Sequence, residues 1–238
     1  MGTFWLDGKS SAQCGIILRE PPPIVIAERD IESVSVLGRD GDVVFDRGRY
    51  KNVTIPYKCA LLPPRGVSLR SAAVTAAMLL TSQAQYLRLE NDYYPAQYRL
   101  ARVADKITVD SIAEQAGTFE VRFDCQPQRY LVSGDQVQCF RAPGALINPT
   151  DCPAVPQITV YGTGPGTLMI GDFQCEILQL EDWLAIDCDL MYAHHGRGTN
   201  RNSWVQIPEF PRLLPGEIPI SWTGQIEKVE IKPRWWTR

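Results

Sequence analysis

Between positions 53 and 61 the apolar side chains fall on every second residue. Val53, Ile55, Tyr57, Cys59 and Leu61 alternate with Thr54, Pro56, Lys58 and Ala60. A period of two places the first set on one face of a half-buried β-strand. Pro56 has no amide hydrogen for a ladder, so the strand is expected at a sheet edge or beside a bulge. An open edge invites pairing with another chain. The alternation returns at Phe119, Val121, Phe123 and Cys125, with Glu120, Arg122 and Asp124 on the opposite face.

One stretch has helical spacing. From Ser68 to about Ser82, apolar residues stand at Leu69, Ala72, Ala73, Ala76, Leu79 and Leu80, which makes one apolar stripe on a helix. Ser68 is placed to cap its start by accepting from the free amides of the first turn. Alanines on that stripe let the helix lie close against a sheet. The segment LENDYYP then ends the helix and returns the chain to a strand at Tyr98.

A Pro-rich region at 142–156 is followed by short apolar runs at 158–161, 167–170 and 173–178. Leu184, Ile186, Cys188 and Leu190 alternate, as do Ile218, Ile220 and Trp222, and Val229 and Ile231 finish the series. Short strands separated by glycine turns predict a β-sandwich. The expected architecture is therefore mainly β. Residues 1–137 would form a sandwich-like β domain with one helix, residues 138–238 a second β-sandwich, and the boundary would fall within 135–150.

Composition narrows the function. Hydrophobic residues make up 45% of the 238 positions, enough for packed cores. The net charge is −3, with both signs mixed along the chain, and no basic stripe exists to hold nucleic acid. No apolar run approaches a membrane span. The start, MGTFWLDGKSS, lacks the basic and apolar regions of a secretory signal. The seven cysteines include no C-x-x-C pair, so free thiols acting as small buried hydrophobes are expected.

Candidate chemistry is sparse. The run GTGPGT at 162–167 looks like a phosphate loop, but a strand rather than a helix follows it and Pro165 removes an amide. A hairpin turn is the expectation. His194 and His195 are the only histidines; neighbours on a strand point to opposite faces and converge poorly on a metal. Asp187 and Asp189 share a face and are expected on the solvated side. No G-x-S-x-G is present, and the scattered acids give no specific glycosidase pair. No enzyme activity, cofactor or metal is expected. Five of the six tryptophans fall after position 180. Trp222 continues a core alternation, whereas Trp235 and Trp236 cannot both point inward. Trp204 and Trp236 are candidate surface aromatics; on them rests the alternative that the second domain is a carbohydrate-binding module.

The order of several segments carries a resemblance. FWLDGKSSAQCGIILRE reads as an opening hairpin turning at Gly8. IESVSVLGRDGDVVFDRGRYKNVTIPYKC reads as a second hairpin turning at Gly38, Arg39, Asp40 and Gly41 before a long strand. The helix, LENDYYPAQYRLARV and FEVRFDCQPQRYL follow, then NPTDCPAVPQITVYGTGPGTLMIGD, LAIDCDLMYA and FPRLLPGEIPISWTGQIEKVEIKPRWW. In this order and spacing the chain resembles the distal tail protein family of long-tailed phages over nearly its whole length. The resemblance implies an N-terminal domain that closes with five copies of itself into a six-membered ring, and an outer galectin-like sandwich without a large sugar-binding insertion. It further implies a virion tail protein, assembled in the bacterial cytoplasm, whose partners are itself, the tail tube protein and a tail-tip protein. Whether it also docks a receptor-binding protein stays open. Beside it, Tyr50, Lys51, Asn52, Thr54 and Pro56, which open the long edge strand, are candidates for the subunit contact.

Overall fold

The computed structural model describes residues 2–113 and 116–238. The chain divides into two compact units, Met1–Arg129 and Tyr130–Thr237. The division falls ahead of the Pro-rich stretch, because β11 (Arg129–Leu131) pairs with β21 (Trp236–Thr237) at the chain's end.

The N-terminal unit contains β1 (Phe4–Leu6), β2 (Lys9–Ser10), β3 (Ile16–Leu18), β4 (Arg29–Val34), β5 (Val43–Tyr50) and β6 (Val53–Leu61). The helix α1 (Leu69–Leu80), β7 (Leu87–Asn91), β8 (Gln97–Val103), β9 (Asp110–Ala113) and β10 (Ala116–Cys125) follow. An antiparallel sheet runs β2-β1-β7-β8-β10-β6-β3, with β9 folded onto β10. The alternation seen in the sequence sends Val53, Ile55, Tyr57, Cys59 and Leu61 inward from β6, and Phe119, Val121, Phe123 and Cys125 inward from β10. Phe4, Tyr57 and Phe123 meet edge to face, with ring centroids 5.7, 5.8 and 5.0 Å apart. Each such pair adds about 0.5–1.5 kcal/mol beyond its buried area.

The helix starts as its sequence requires: the Ser68 side chain accepts from the Ser71 amide at 3.2 Å. Ala72, Ala76 and Leu80, spaced by four, are its buried positions. Small alanines bring its backbone near the sheet. β4 and β5 pair only with each other and form a separate two-stranded ribbon.

In the C-terminal unit β12 (Gln138–Phe140), β13 (Gly144–Asn148), β14 (Gln157–Ile170), β15 (Phe173–Ile177), β16 (Trp183–Asp187) and β17 (Tyr192–His195) come first. β18 (Thr199–Asn200), β19 (Val205–Gln206) and β20 (Gly216–Lys232) follow. The long strands β14 and β20 pair along most of their length. The first half of β14 also pairs with β16 and its second half with β15; β20 pairs first with β13 and then with β12. Each long strand thus passes from one layer of the sandwich to the other, which requires a bend.

The bend is GTGPGT. It is not a hairpin turn: it lies inside β14, where the register with β20 slips between Tyr161 and Gly166. A slip leaves extra residues on one strand, so the strand kinks and twists there. The core within the bend is aliphatic, with Ile158, Val160, Leu168, Leu184, Ile186, Val229 and Ile231 fully buried. Cys59, Cys125, Cys152, Cys175 and Cys188 are buried free thiols, and only Cys139 is exposed. Burial pushes the Cys59, Cys125 and Cys175 thiols up to about 12, so they pack as small hydrophobes rather than react.

Candidate assembly surface

Pro56 reports which way the β6 edge faces. Its partner across the ladder, Arg122, gives its carbonyl to the Ala104 amide at 2.8 Å. The Arg122 backbone groups therefore point away from β6, and in an antiparallel pair those of Pro56 must also point outward, away from β10. On that outer side β3 covers only Cys59 to Leu61, and Arg19 donates to the Lys58 carbonyl at 3.0 Å. Thr54 and Pro56 are left as an open edge. The missing amide costs nothing there, which accounts for the proline.

The other three candidates at this end of β6 are engaged within the chain. Tyr50 lies under the Arg29 guanidinium, 5.3 Å from its ring centroid. Lys51 pairs with Glu28 at 3.0 Å. Asn52 donates to the Tyr86 hydroxyl at 2.6 Å and to Asp124 at 2.9 Å, while Tyr86 and Arg102 each donate to Asp124 at 2.9 Å. Burial alone would raise the Asp124 pKa, but these donors more than offset it and hold the carboxyl below its usual range.

Just before these residues stands the β4–β5 ribbon. It is tied by ion pairs: Arg29 with Asp46 and Arg47 with Glu32 at 2.9 Å, both exposed, and Arg49 with the buried Asp30 at 2.7 Å. Such pairs fix register more than they stabilise. The ribbon also carries exposed apolar side chains on both faces. Register places Val34 opposite Val43 and Phe45 opposite Glu32 on one face, and Val44 opposite Ser33 and Ile31 opposite Asp46 on the other. Ile31, Val34, Val44 and Phe45 are 49%, 38%, 58% and 56% exposed. A lone two-stranded ribbon is marginal in water, and clustered exposed apolar side chains make it a candidate contact surface. Sequence alternation missed this ribbon because neither face is wholly apolar.

The C-terminal candidates are placed differently. Trp204 is 8% exposed and belongs to the core, and Trp236 is half-buried with its indole donating to the Pro153 carbonyl at 2.9 Å. Trp204 therefore offers no open ring face on which a sugar could stack. Trp235 is buried and Trp236 partly exposed, the division expected of adjacent rings. Trp222 is half-buried against the core. His195 meets Asp182 at 2.7 Å, and His194 stacks on Tyr192 with centroids 5.5 Å apart. Among the described residues no group of three or more His, Cys, Asp or Glu is placed to hold a metal ion.

Asp187 corrects the sequence reading most clearly. It is not on the solvated face but 8% exposed, and Arg234 grips it in a two-pronged bridge of 2.9 and 2.7 Å. The amides of Asp189 and Leu190 add bonds of 3.0 and 3.3 Å. Burial opposes ionisation of Asp187, yet the Arg234 bridge prevails and the pKa lies below the ordinary value. A depressed carboxylate pKa gives stability that is full above the unfolded value, about 4, and lost as pH falls through the folded one. Asp187→Asn is expected to cost about 2–4 kcal/mol at neutral pH, since it strands a largely buried guanidinium. It also flattens the fall in melting temperature below about pH 4 relative to the unchanged chain. A neutral-pH melt indistinguishable from the parent's would refute this role for the bridge.

The Dit protein of phage SPP1, described as a paradigm of the hub adsorption apparatus of phages infecting Gram-positive hosts, superposes with a TM-score of 0.75. The match covers 97% of this chain and 98% of that one at 13% identity. The fold is that of a phage Dit protein. A chain of the phage p2 baseplate, in its activated conformation with Sr, matches with a TM-score of 0.55, 11% identity and 97% of each chain. No family model matches the sequence, and no curated protein matches it.

Proposed function

We propose that this chain is the distal hub of a long-tailed phage or prophage tail. Six copies close into a ring that joins the tail tube to the tail-tip or adsorption apparatus. The observation that carries the reading is the full-length likeness to the SPP1 hub protein, which leaves no part of either chain unmatched beyond a few residues. The surface features are consistent with it. A ring needs a heterologous contact that closes after a fixed rotation. The ribbon β4–β5, with exposed apolar side chains on both faces, together with the open Thr54–Pro56 edge, supplies material for one. The role is mechanical, and the chain is read as a structural component rather than an enzyme. Its partners are other copies of itself, the tail tube protein and a tail-tip protein; its location is the virion tail, after assembly in the bacterial cytoplasm.

The test is the particle itself. Six subunits of 26.7 kDa make a ring of about 160 kDa. Light scattering with negative-stain imaging is expected to find that mass and a six-fold outline, alone or with the tail tube and tail-tip proteins of the same phage. A 26.7 kDa particle at every concentration, in their presence as well as their absence, removes the proposal.

A further inference from the structure

One cavity in the N-terminal unit is electrically unbalanced. It lies over the end of the sheet, beneath the extended segment that carries Pro22 to Val25, and holds about 60 Å³. That is room for several waters or the end of one acidic side chain. Arg99 and Arg129 both line it, as does the Tyr57 hydroxyl, and among the described residues that line it none is acidic.

Arg99 is 8% exposed. Its guanidinium donates to three neutral carbonyls, those of Gln126 at 3.1 Å, Pro127 at 3.0 Å and Val25 at 2.8 Å. These fix its position but supply no counter-charge. Desolvation, with a further push from Arg129, holds its pKa below the ordinary value. The Nε of Arg129 is buried with no hydrogen-bond partner. Tyr57 accepts from Asn91 at 3.1 Å, and burial raises its pKa, so its hydroxyl remains a donor. Among the described residues, two cations and a phenol thus stand around one cavity without an anionic acceptor, an arrangement that is costly as it stands. A carboxylate would answer it with short charge-assisted bonds.

The rim says more about the ligand. Ile24, which lines the mouth, and Ile26 beside it are 63% and 67% exposed. Pro22, Pro23 and Leu89 continue the apolar lining. We propose that this cavity receives a carboxylate carried by another polypeptide, an acidic residue or a chain end flanked by apolar side chains. A free inorganic anion would make no use of that rim. The site stands on the cavity alone and holds whether or not the ring forms.

Titration of the full-length protein in about 0.15 M salt with the capped tripeptide Leu-Glu-Leu, against Leu-Gln-Leu and sulfate, tests it. The glutamate peptide is expected to bind saturably and at least about tenfold more tightly than the glutamine peptide. Arg129→Gln is expected to remove most of that preference, and Arg129→Lys to keep part of it, with melting curves confirming that both variants fold. Equal binding of the two peptides, or none, overturns the proposal. So does sulfate binding as tightly as the glutamate peptide, since the site would then be a general anion trap. If Arg129→Gln does not fold, the comparison of the two peptides on the unchanged chain still decides.

Discussion

Gly162→Val is expected to unfold the C-terminal unit. Gly162 has a φ of 150°, and a Cβ there would lie 2.1 Å from the Gln225 carbonyl oxygen. The obstacle is backbone and has no rotamer by which to move aside. The opposing strand is as tight. At Gly224, with φ 79°, a Cβ would meet the Pro165 carbonyl oxygen at 2.5 Å and the Gly166 Cα at 2.7 Å. Both long strands therefore bend at one crossing, and the bend lets each serve both layers of the sandwich. Forcing it open separates β14 from β20, the pair on which the aliphatic core is built. Positive-φ strain and the steric clash together cost more than about 3 kcal/mol, a large share of the stability of a domain this size. Trp183, Trp204, Trp222, Trp235 and Trp236 all lie in this unit, so denaturation followed by tryptophan fluorescence reads it directly. Gly8→Ala is the comparison: its φ is 74° but nothing lies within 4 Å of the added carbon, and about 1 kcal/mol is expected. Equal losses at the two sites would show that the crossing tolerates a side chain after all.

The sequence was most legible where local chemistry and burial agree. Alternation in β6 and β10 identified the inward set, the Ser68 cap and alanine spacing located α1 to within two residues, and Pro56 announced an open edge. Legibility failed where geometry depends on a distant partner. Nothing near Asp187 reveals that Arg234, 47 positions on, folds back to bind it, so solvation was the natural expectation. Glycines in GTGPGT permit a turn or a bend equally, and the choice is made by the close approach of β20. Trp204 follows the polar run Arg201, Asn202 and Ser203 in the sequence, yet a short turn carries it into the core. The Arg99 cavity is invisible in the sequence for the same reason: β6, β7, β8, Arg129 and the segment at 22–25 meet only in the folded unit.

The proposed ring contact gives the second large effect. The double substitution Val44→Asp with Phe45→Asp is expected to convert the assembled ring into monomers while leaving the subunit folded. Their positions on successive residues of β5 put one new charge on each face of the ribbon. Both parent side chains are more than half exposed in the single chain, at 58% and 56%, so the subunit loses little by their removal. In a contact that covers the exposed part of them, each contributes about 1–2 kcal/mol, and a carboxylate buried in its place adds a desolvation cost. Because closure requires every contact to form, that loss recurs around the ring. Light scattering reports the mass, and circular dichroism with a melting curve within about 1 kcal/mol of the parent certifies the fold. Arg39→Ser, in the exposed turn between the same strands, is expected to leave assembly unchanged. A ring that survives both aspartates would move the contact off the ribbon and onto the Thr54–Pro56 edge, because backbone pairing along that edge does not depend on side chains at 44 and 45.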